Sequence, residues 1–354
     1  MIINQWVPAA HKGDAIGDSA RRLRSLLRKQ KHESDIYAIT IDEELQNDVR
    51  PFTDPHSRKA DATILHFAVP SPMSQAFTTL SHYRILQYHN ITPPHFFAQY
   101  HPEICRITKM GREELSTLVG QVDLALGDSE YNRNELRTLG FEQTDIMPIF
   151  VGLDRFNNYQ SLPPLEQILD DGKANILYVG RIVPNKCLED HIRLAEHYKR
   201  YVDTDYRFLF VGRTDAVPSY YAALRNLILR YDMPPDRFIF TGEVSEVELL
   251  TYYQNAHAYL SLSEHEGFCV PLIEAMANDV PVVAYGTTAI PETLGGAGLC
   301  FTPKDLEHAA ELLGMVIYDN VLRSKVIQRQ RQRLAAFGEA AAAKQIEHLL
   351  KYIN

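Results

Sequence analysis

Two glutamates, Glu266 and Glu274, stand with seven residues between them in the string Ser263-Glu-His-Glu-Gly-Phe-Cys-Val-Pro-Leu-Ile-Glu274. An ionised carboxylate only accepts hydrogen bonds, so a pair of them suits a ligand rich in hydroxyl donors. One glutamate beside a helix start could do no more than complement the helix dipole; two, set around Gly267 and Phe268, point to a ligand. A second pair, Arg181 and Lys186, is basic and follows Gly180 at the end of the apolar run Ile176-Leu-Tyr-Val179. A third candidate is His89, which ends the run 84–89 and precedes Asn90-Ile-Thr-Pro-Pro94. The residue before a proline avoids helical backbone, so no helix can start at once and the imidazole is expected to be displayed at a strand end.

The elements around these residues are legible. The run Ala258-Tyr-Leu-Ser-Leu262 reads as a strand, and Pro271 is placed as a first helical residue. Leu272, Ile273, Ala275 and Met276 would pack that helix on a sheet, and Asn278-Asp279 stops it before a second strand over 281–285. The two glutamates therefore belong to the carboxyl edge of a parallel sheet, where open α/β proteins bind ligands and a helix N-terminus attracts an anion. Upstream, strand-like runs at 1–7, 36–41, 62–67, 84–89, 124–126 and 145–150 alternate with helical stretches, notably 113–119 and 130–139. The loop 11–18, with Gly13 and Gly17, is expected to lie along a ligand, with Asp18 or Ser19 capping the next helix. It lacks the G-x-G-x-x-G pattern of a dinucleotide site. A second β–α series begins at Asn175, and its strands 206–211 and 238–241 each end in glycine, Gly212 and Gly242. From Leu306 onward the pattern is helical.

A chain of 354 residues exceeds what one core usually supports, so two domains are expected, 1–155 and 156–336, joined by a polar, proline-containing stretch over 157–173. With 45% hydrophobic and 23% charged residues and a net charge of −9, the composition is that of a soluble globular protein with no general affinity for nucleic acid. No apolar run approaches the ~20 residues of a membrane span, and the N-terminus lacks a signal-peptide core, so a cytoplasmic location is expected. Cys105, Cys187, Cys269 and Cys300 are scattered and read as free thiols. One local charge reversal stands out. The stretch 19–31 carries Arg21, Arg22, Arg24, Arg28, Lys29 and Lys31 without an acidic residue, the pattern of either a solvated helix or one making peripheral contact with an anionic membrane.

The string Glu266-Gly-Phe-Cys-Val-Pro-Leu-Ile-Glu-Ala-Met276 resembles the donor-site signature of the retaining glycosyltransferases of family four, and Gly180-Arg181 followed five residues later by Lys186 resembles their second signature. The string Gln87-Tyr-His-Asn-Ile-Thr-Pro93 is similar to the family's cleft histidine segment, Gly127-Asp-Ser-Glu-Tyr131 to a strand-end turn, and Gly152-Leu-Asp-Arg-Phe156 to its interdomain segment. The resemblance implies the GT-B fold: two Rossmann-like, doubly wound parallel-sheet domains facing a deep cleft. The first would bind the acceptor and the second a nucleotide diphosphate sugar, with the helix 337–354 packing back on the first. It implies transfer of a hexose, with retained configuration, to a hydroxyl of a saccharide or lipid-linked glycan. His89 and Glu266 would meet the transferred sugar. Arg181 and Lys186 would hold the diphosphate, whose charge on leaving a fork and a point charge can stabilise. Glu274 would hold the ribose, and Gly13, Gly180, Gly212, Gly242, Gly267, Phe268, Cys269 and Val270 would line the donor site. No cofactor and no metal are expected. Asp203-Thr-Asp205 has the form of the metal-binding DxD of the other large glycosyltransferase fold, but it precedes a strand and so reads as a turn at the wrong edge. Thr287-Thr-Ala289 stands where the family often has adjacent glycines. The wording around His89 and Glu266 is similar to bacterial mannosyltransferases of surface polysaccharides, which implies GDP-mannose; a UDP-glucose or UDP-GlcNAc donor, a GT-B epimerase or phosphorylase, and a non-catalytic nucleotide-sugar-binding subunit are the alternatives.

Overall fold

The computed structural model describes residues 1–156 and 162–353; the first part of the expected linker 157–173, over 157–161, and residue 354 of the expected last helix lie outside the described residues. The chain forms two units, one of Met1–His95, Glu103–Gly152 and Ala336–Asn354, the other of Phe96–Pro102 and Leu153–Ala335. Each is built on a parallel sheet.

In the first unit the strands are β1 Ile3–Ala10, β2 Ile36–Ile41, β3 Arg50–Pro51, β4 Ala62–Phe67, β5 Tyr83–Tyr88, β6 Leu124–Gly127 and β7 Thr144–Ile146, in the order β3-β2-β1-β4-β5-β6-β7. All pairs are parallel, with β1 lying between β2 and β4. Such a sheet is covered on both faces, which is why its strands read as continuous apolar runs rather than alternating ones. On one face Trp6, Leu65, Phe67, Phe77 and Leu86 pack together; on the other, Ile64, Ile85, Leu23 and Leu27 meet Ile346 and Leu349 from the helix Glu339–Ile353. That helix therefore belongs to the core of the first unit although it is the last in the chain.

In the second unit β8 Ala174–Val179, β9 Tyr206–Val211, β10 Phe238–Gly242, β11 Ala258–Ser261, β12 Val282–Tyr285 and β13 Leu299–Phe301 run in the order β10-β9-β8-β11-β12-β13. Strand order reverses between β8 and β11. Such a switch point opens a crevice at the carboxyl edge.

Three expectations are corrected. The first helix is Ala15–Lys29, capped by Asp14, whose carboxylate accepts from Gly17 N at 3.0 Å, so Gly17 lies in a helical turn and only Gly13, at φ +74°, remains in the loop. The helix expected at 113–119 spans Pro102–Thr117. Its interior glycine, Gly111, obscured the pattern, yet a Cβ there would meet Ile91 Cδ1 at 2.8 Å, so the gap in side chains is what lets the helix approach. The strand expected at 145–150 ends at Ile146, consistent with the missing N–H of Pro148.

Candidate functional site

At the switch point of the second unit, the ends of β8, β9 and β10 are closed by Gly180, Gly212 and Gly242. Gly180 N donates to Val211 O at 2.9 Å and Gly212 N to Gly242 O at 3.0 Å. Gly212 has φ +141°, and a Cβ on it would lie 2.2 Å from Gly180 O, so the three strand ends can lie side by side only because no side chain intervenes.

The turn after Gly180 carries the basic pair. Arg181 is exposed, and among the described residues no carboxylate lies within ion-pair distance of it. Lys186 ends the short turn Pro184–Lys186, and its Nζ donates to Glu266 Oε1 at 2.6 Å. Two residues 80 apart in sequence are thus brought together, each with its side chain largely covered. The loops that bear them are joined by backbone: Glu264 N donates to Asn185 O at 2.9 Å and Asn185 Nδ2 to His265 O at 3.0 Å. Glu266 N in turn donates to Thr288 Oγ1 at 3.0 Å. Thr288, in the segment that stands where the family has glycines, therefore holds the backbone of Glu266.

Phe268 and Cys269 are buried, and Cys269, at φ +70°, caps the helix Val270–Ala277, with Pro271 in its first turn. Burial, with the neighbouring Glu266 carboxylate, pushes the Cys269 thiol well up, so it is a neutral packing group rather than a nucleophile. Glu274 lies on the same helix. Tyr253 OH donates to its Oε2 at 2.8 Å, and the Arg155 guanidinium pairs with its Oε1. Neither Arg155 nor Tyr253 stood out in the sequence: Arg155 is one basic residue in a boundary segment, and Tyr253 is an inward-facing residue of an unrelated helix.

One cluster close by has metal-ligand chemistry, Cys187 with Asp190 and Glu264. Lys304 Nζ already lies 2.5 Å from Asp190 and 3.0 Å from Glu264, and burial pushes the Cys187 thiol up to about 12. A lysine cation occupies the charge complement there, so these residues do not fit a divalent ion. Asp203 and Asp205 precede β9 at the opposite edge, and Asp203 Oδ1 accepts from Asp205 N at 2.9 Å, closing the turn.

His89 follows β5 in the first unit, but its ring is not displayed. The side chain is 2% exposed, with Nδ1 2.9 Å from Asp128 Oδ2 and Nε2 2.8 Å from His66 Nδ1. Asp128 is fixed from its other oxygen by Gln87 Nε2 at 2.7 Å, and the helix Glu130–Leu139 that follows is capped by Ser129. His66 Nε2 lies 3.0 Å from Gln5 Oε1. Burial, then the neighbouring His89, holds His66 well below the usual histidine range, and a neutral ring offers one donor and one acceptor, which these two partners fill. The ring of His89 is thus enclosed because the interior supplies both of its nitrogens with partners. The sequence hinted at this only through a second histidine on the neighbouring strand.

The basic helix spends its charge within the first unit. Arg21 pairs with Asp18, Arg24 with Asp48, Arg28 with Asp35 at 2.8 Å and Lys29 with Glu339. The acids absent from the stretch 19–31 come from the helix's first turn, at Asp18, and from other elements.

Residues 166–333 match the family model of the glycosyl transferases group 1, a span that takes in all six of the second unit's strands and its switch point. The second unit is a group 1 glycosyl transferase domain. The glycosyltransferase is 24% identical over 315 residues to O-antigen chain mannosyltransferase B of Escherichia coli, covering 86% of this chain and 76% of that one. It is 31% identical over 148 residues to the O-antigen chain mannosyltransferase RfbU of Salmonella typhimurium, covering 42% and 40%. Among solved structures it is similar to Anabaena HepE in complex with UDP and glucose, with a TM-score of 0.77 at 16% identity over 99% of both chains. The fold is GT-B, two Rossmann-like units each on its own parallel sheet. No helix among the described residues is long and apolar enough to cross a membrane.

Proposed function

We propose that this glycosyltransferase moves a hexose from a nucleotide diphosphate sugar to a hydroxyl of a saccharide or lipid-linked acceptor with retained configuration, and that the donor binds at the switch point of the second unit. The observation that carries the reading is the meeting there of Lys186 and Glu266, with Arg181 exposed beside them and Glu274 on the adjoining helix. Arg181 and Lys186 act on the diphosphate, where a preorganised positive field counts most as the leaving group gathers charge. Glu266 receives hydroxyls of the sugar and Glu274 those of the ribose. Because these cations supply the positive field, the reaction proceeds without a divalent metal, and chelator leaves the rate unchanged. His89, with its ring held by Asp128 and His66, can serve a ligand of the first unit only through its backbone carbonyl.

The mannosyltransferase names of its relatives support GDP-mannose as donor; the UDP and glucose of the HepE complex support UDP-glucose as the alternative. A thermal-shift screen of GDP-mannose, UDP-glucose and UDP-GlcNAc, followed by transfer assays with the stabilising donor, tests both levels. Stabilisation by GDP-mannose alone is expected. Stabilisation by none of the three contradicts the donor site, and by a UDP-sugar alone corrects the sugar nucleotide.

A further inference from the structure

We propose that Arg155 and Tyr253 are positioning residues that set the Glu274 carboxylate for a vicinal diol, and so make this site select ribonucleotides over deoxynucleotides. The inference rests on the reading that Glu274 meets the ribose of the donor.

A glutamate side chain turns about several bonds, and holding one rotamer costs entropy unless something fixes it. Here each oxygen has its own anchor. Tyr253 is fully buried on the helix Glu246–Gln254, and its hydroxyl donates to Oε2 at 2.8 Å. Burial, then the Glu274 charge, holds the Tyr253 phenol well above its usual range, so it remains a donor at any working pH. On Oε1 the anchor is the guanidinium of Arg155, from the turn Leu153–Phe156, which lies over the Phe156 ring at 4.8 Å and has its Nη1 3.9 Å from Glu246. Tyr253 thus approaches from the interior, whereas Arg155, 29% exposed, approaches from the wetter side.

The electron count of the carboxylate supplies the specificity. Each oxygen offers about two lone-pair sites, so one bond to each leaves one acceptor on each. Two acceptors a single carboxyl group apart, held in one orientation, suit two adjacent hydroxyls. A ligand lacking one of them leaves a largely buried acceptor unpaired, a loss of about tenfold or more in affinity. A carboxylate free to rotate could re-aim at the remaining hydroxyl, and the discrimination would fall. Tyr253 and Arg155 remove that freedom.

The test is titration of UDP and GDP, and of their 2′-deoxy counterparts, into the wild-type protein, Tyr253→Phe, Arg155→Ala, Arg155→Lys and Glu274→Ala, with melting temperatures on the same preparations. The wild type should prefer the ribonucleotide by about tenfold or more. In Tyr253→Phe and Arg155→Ala the ratio should fall toward one, chiefly by weakened ribonucleotide binding, and Arg155→Lys, lacking the fork, should restore it only in part. Equal weakening of both nucleotides, or an unchanged ratio in both variants, overturns the proposal. If Glu274→Ala still abolishes the preference in that case, the ribose reading survives without the two anchors. A wild-type ratio near one, or one that Glu274→Ala leaves intact, overturns the ribose reading and the proposal together. Tyr253→Phe keeps the ring, so a folded variant is available even where Arg155→Ala is unstable.

Discussion

The two units have parallel sheets with the same kind of reversal in strand order, yet their carboxyl edges use polar residues in opposite ways. At the edge of the first, His89, Asp128, His66, Gln87 and Gln5 bond to one another, with Gln87 Oε1 the one buried atom of these side chains left without a partner among the described residues, and the ring of His89 is closed to solvent. At the edge of the second, Arg181 has no acidic partner among the described residues, and Lys186, Glu266 and Glu274 each have hydrogen-bonding capacity beyond the bonds they make. The difference teaches how to sort buried from functional polarity. A network that closes on itself fixes geometry, and breaking it should unfold; a network with open valences binds, and breaking it should spare the fold.

The largest effect that contrast predicts is on turnover. Arg181→Ala and Lys186→Ala should each lower transfer by about a hundredfold, the scale of losing a preorganised charge contact. Arg181→Ala should also shift stability by no more than about 0.5 kcal/mol, as a surface change does. Steady-state kinetics and a urea melt on one preparation check both, and a large stability loss at normal turnover would reverse the comparison.

Next comes Asp128→Asn, which puts an amide NH2 where one carboxylate oxygen meets His89 Nδ1 or Gln87 Nε2, breaks a buried hydrogen bond and should cost about 1–3 kcal/mol of stability. A denaturant titration reads it. A variant as stable as the wild type would mean that the first edge is not closed.

A finer distinction lies within the second edge. Glu274→Ala should weaken bare nucleoside diphosphate and nucleotide sugar alike, whereas Glu266→Ala should leave bare nucleotide affinity near normal and cut transfer. Calorimetry with both ligands separates them, and equal loss of nucleotide affinity would merge the two roles.

A further effect is in pH. Burial lowers His66 in the first unit and lowers His191, beneath the second edge, to about 4. Both take up protons in the unfolded chain near pH 6.5 before they do so in the folded one. Stability is therefore full above about pH 6.5 and falls below it, by about 1.4 kcal/mol per pH unit for each histidine, down to pH 4 for His191. Urea midpoints measured from pH 7 to 5 should fall, and His191→Gln should flatten the slope; a level profile in the wild type would contradict the buried neutral rings.

What could be read from the chain follows the range of the interactions. The strands, the glycine-ended edges and the helix after Pro271 are set by local pattern, and each could be placed before any contact was known. Glu266 and Lys186 could be paired only through the motif that names both, since nothing local joins residues 80 apart. The enclosure of His89 was missed because proline placement fixes where a strand ends but says nothing of which side chains wait there. Arg155 and Tyr253 were silent for the same reason: their partner Glu274 reaches them only through the packed fold, 119 and 21 residues away in sequence. Thr288 shows the converse, since a departure from the family's glycines became a hydrogen bond to the backbone of Glu266.

The central claim is that the second edge, and not the first, holds the donor's diphosphate. Titration of UDP and GDP into the wild type, Arg181→Ala and Asp128→Asn, each shown to be folded at the working temperature, tests it in one experiment. Arg181→Ala should weaken the nucleotide that binds by about tenfold or more, and folded Asp128→Asn should bind it as the wild type does. Normal affinity in Arg181→Ala with loss in folded Asp128→Asn would contradict the account.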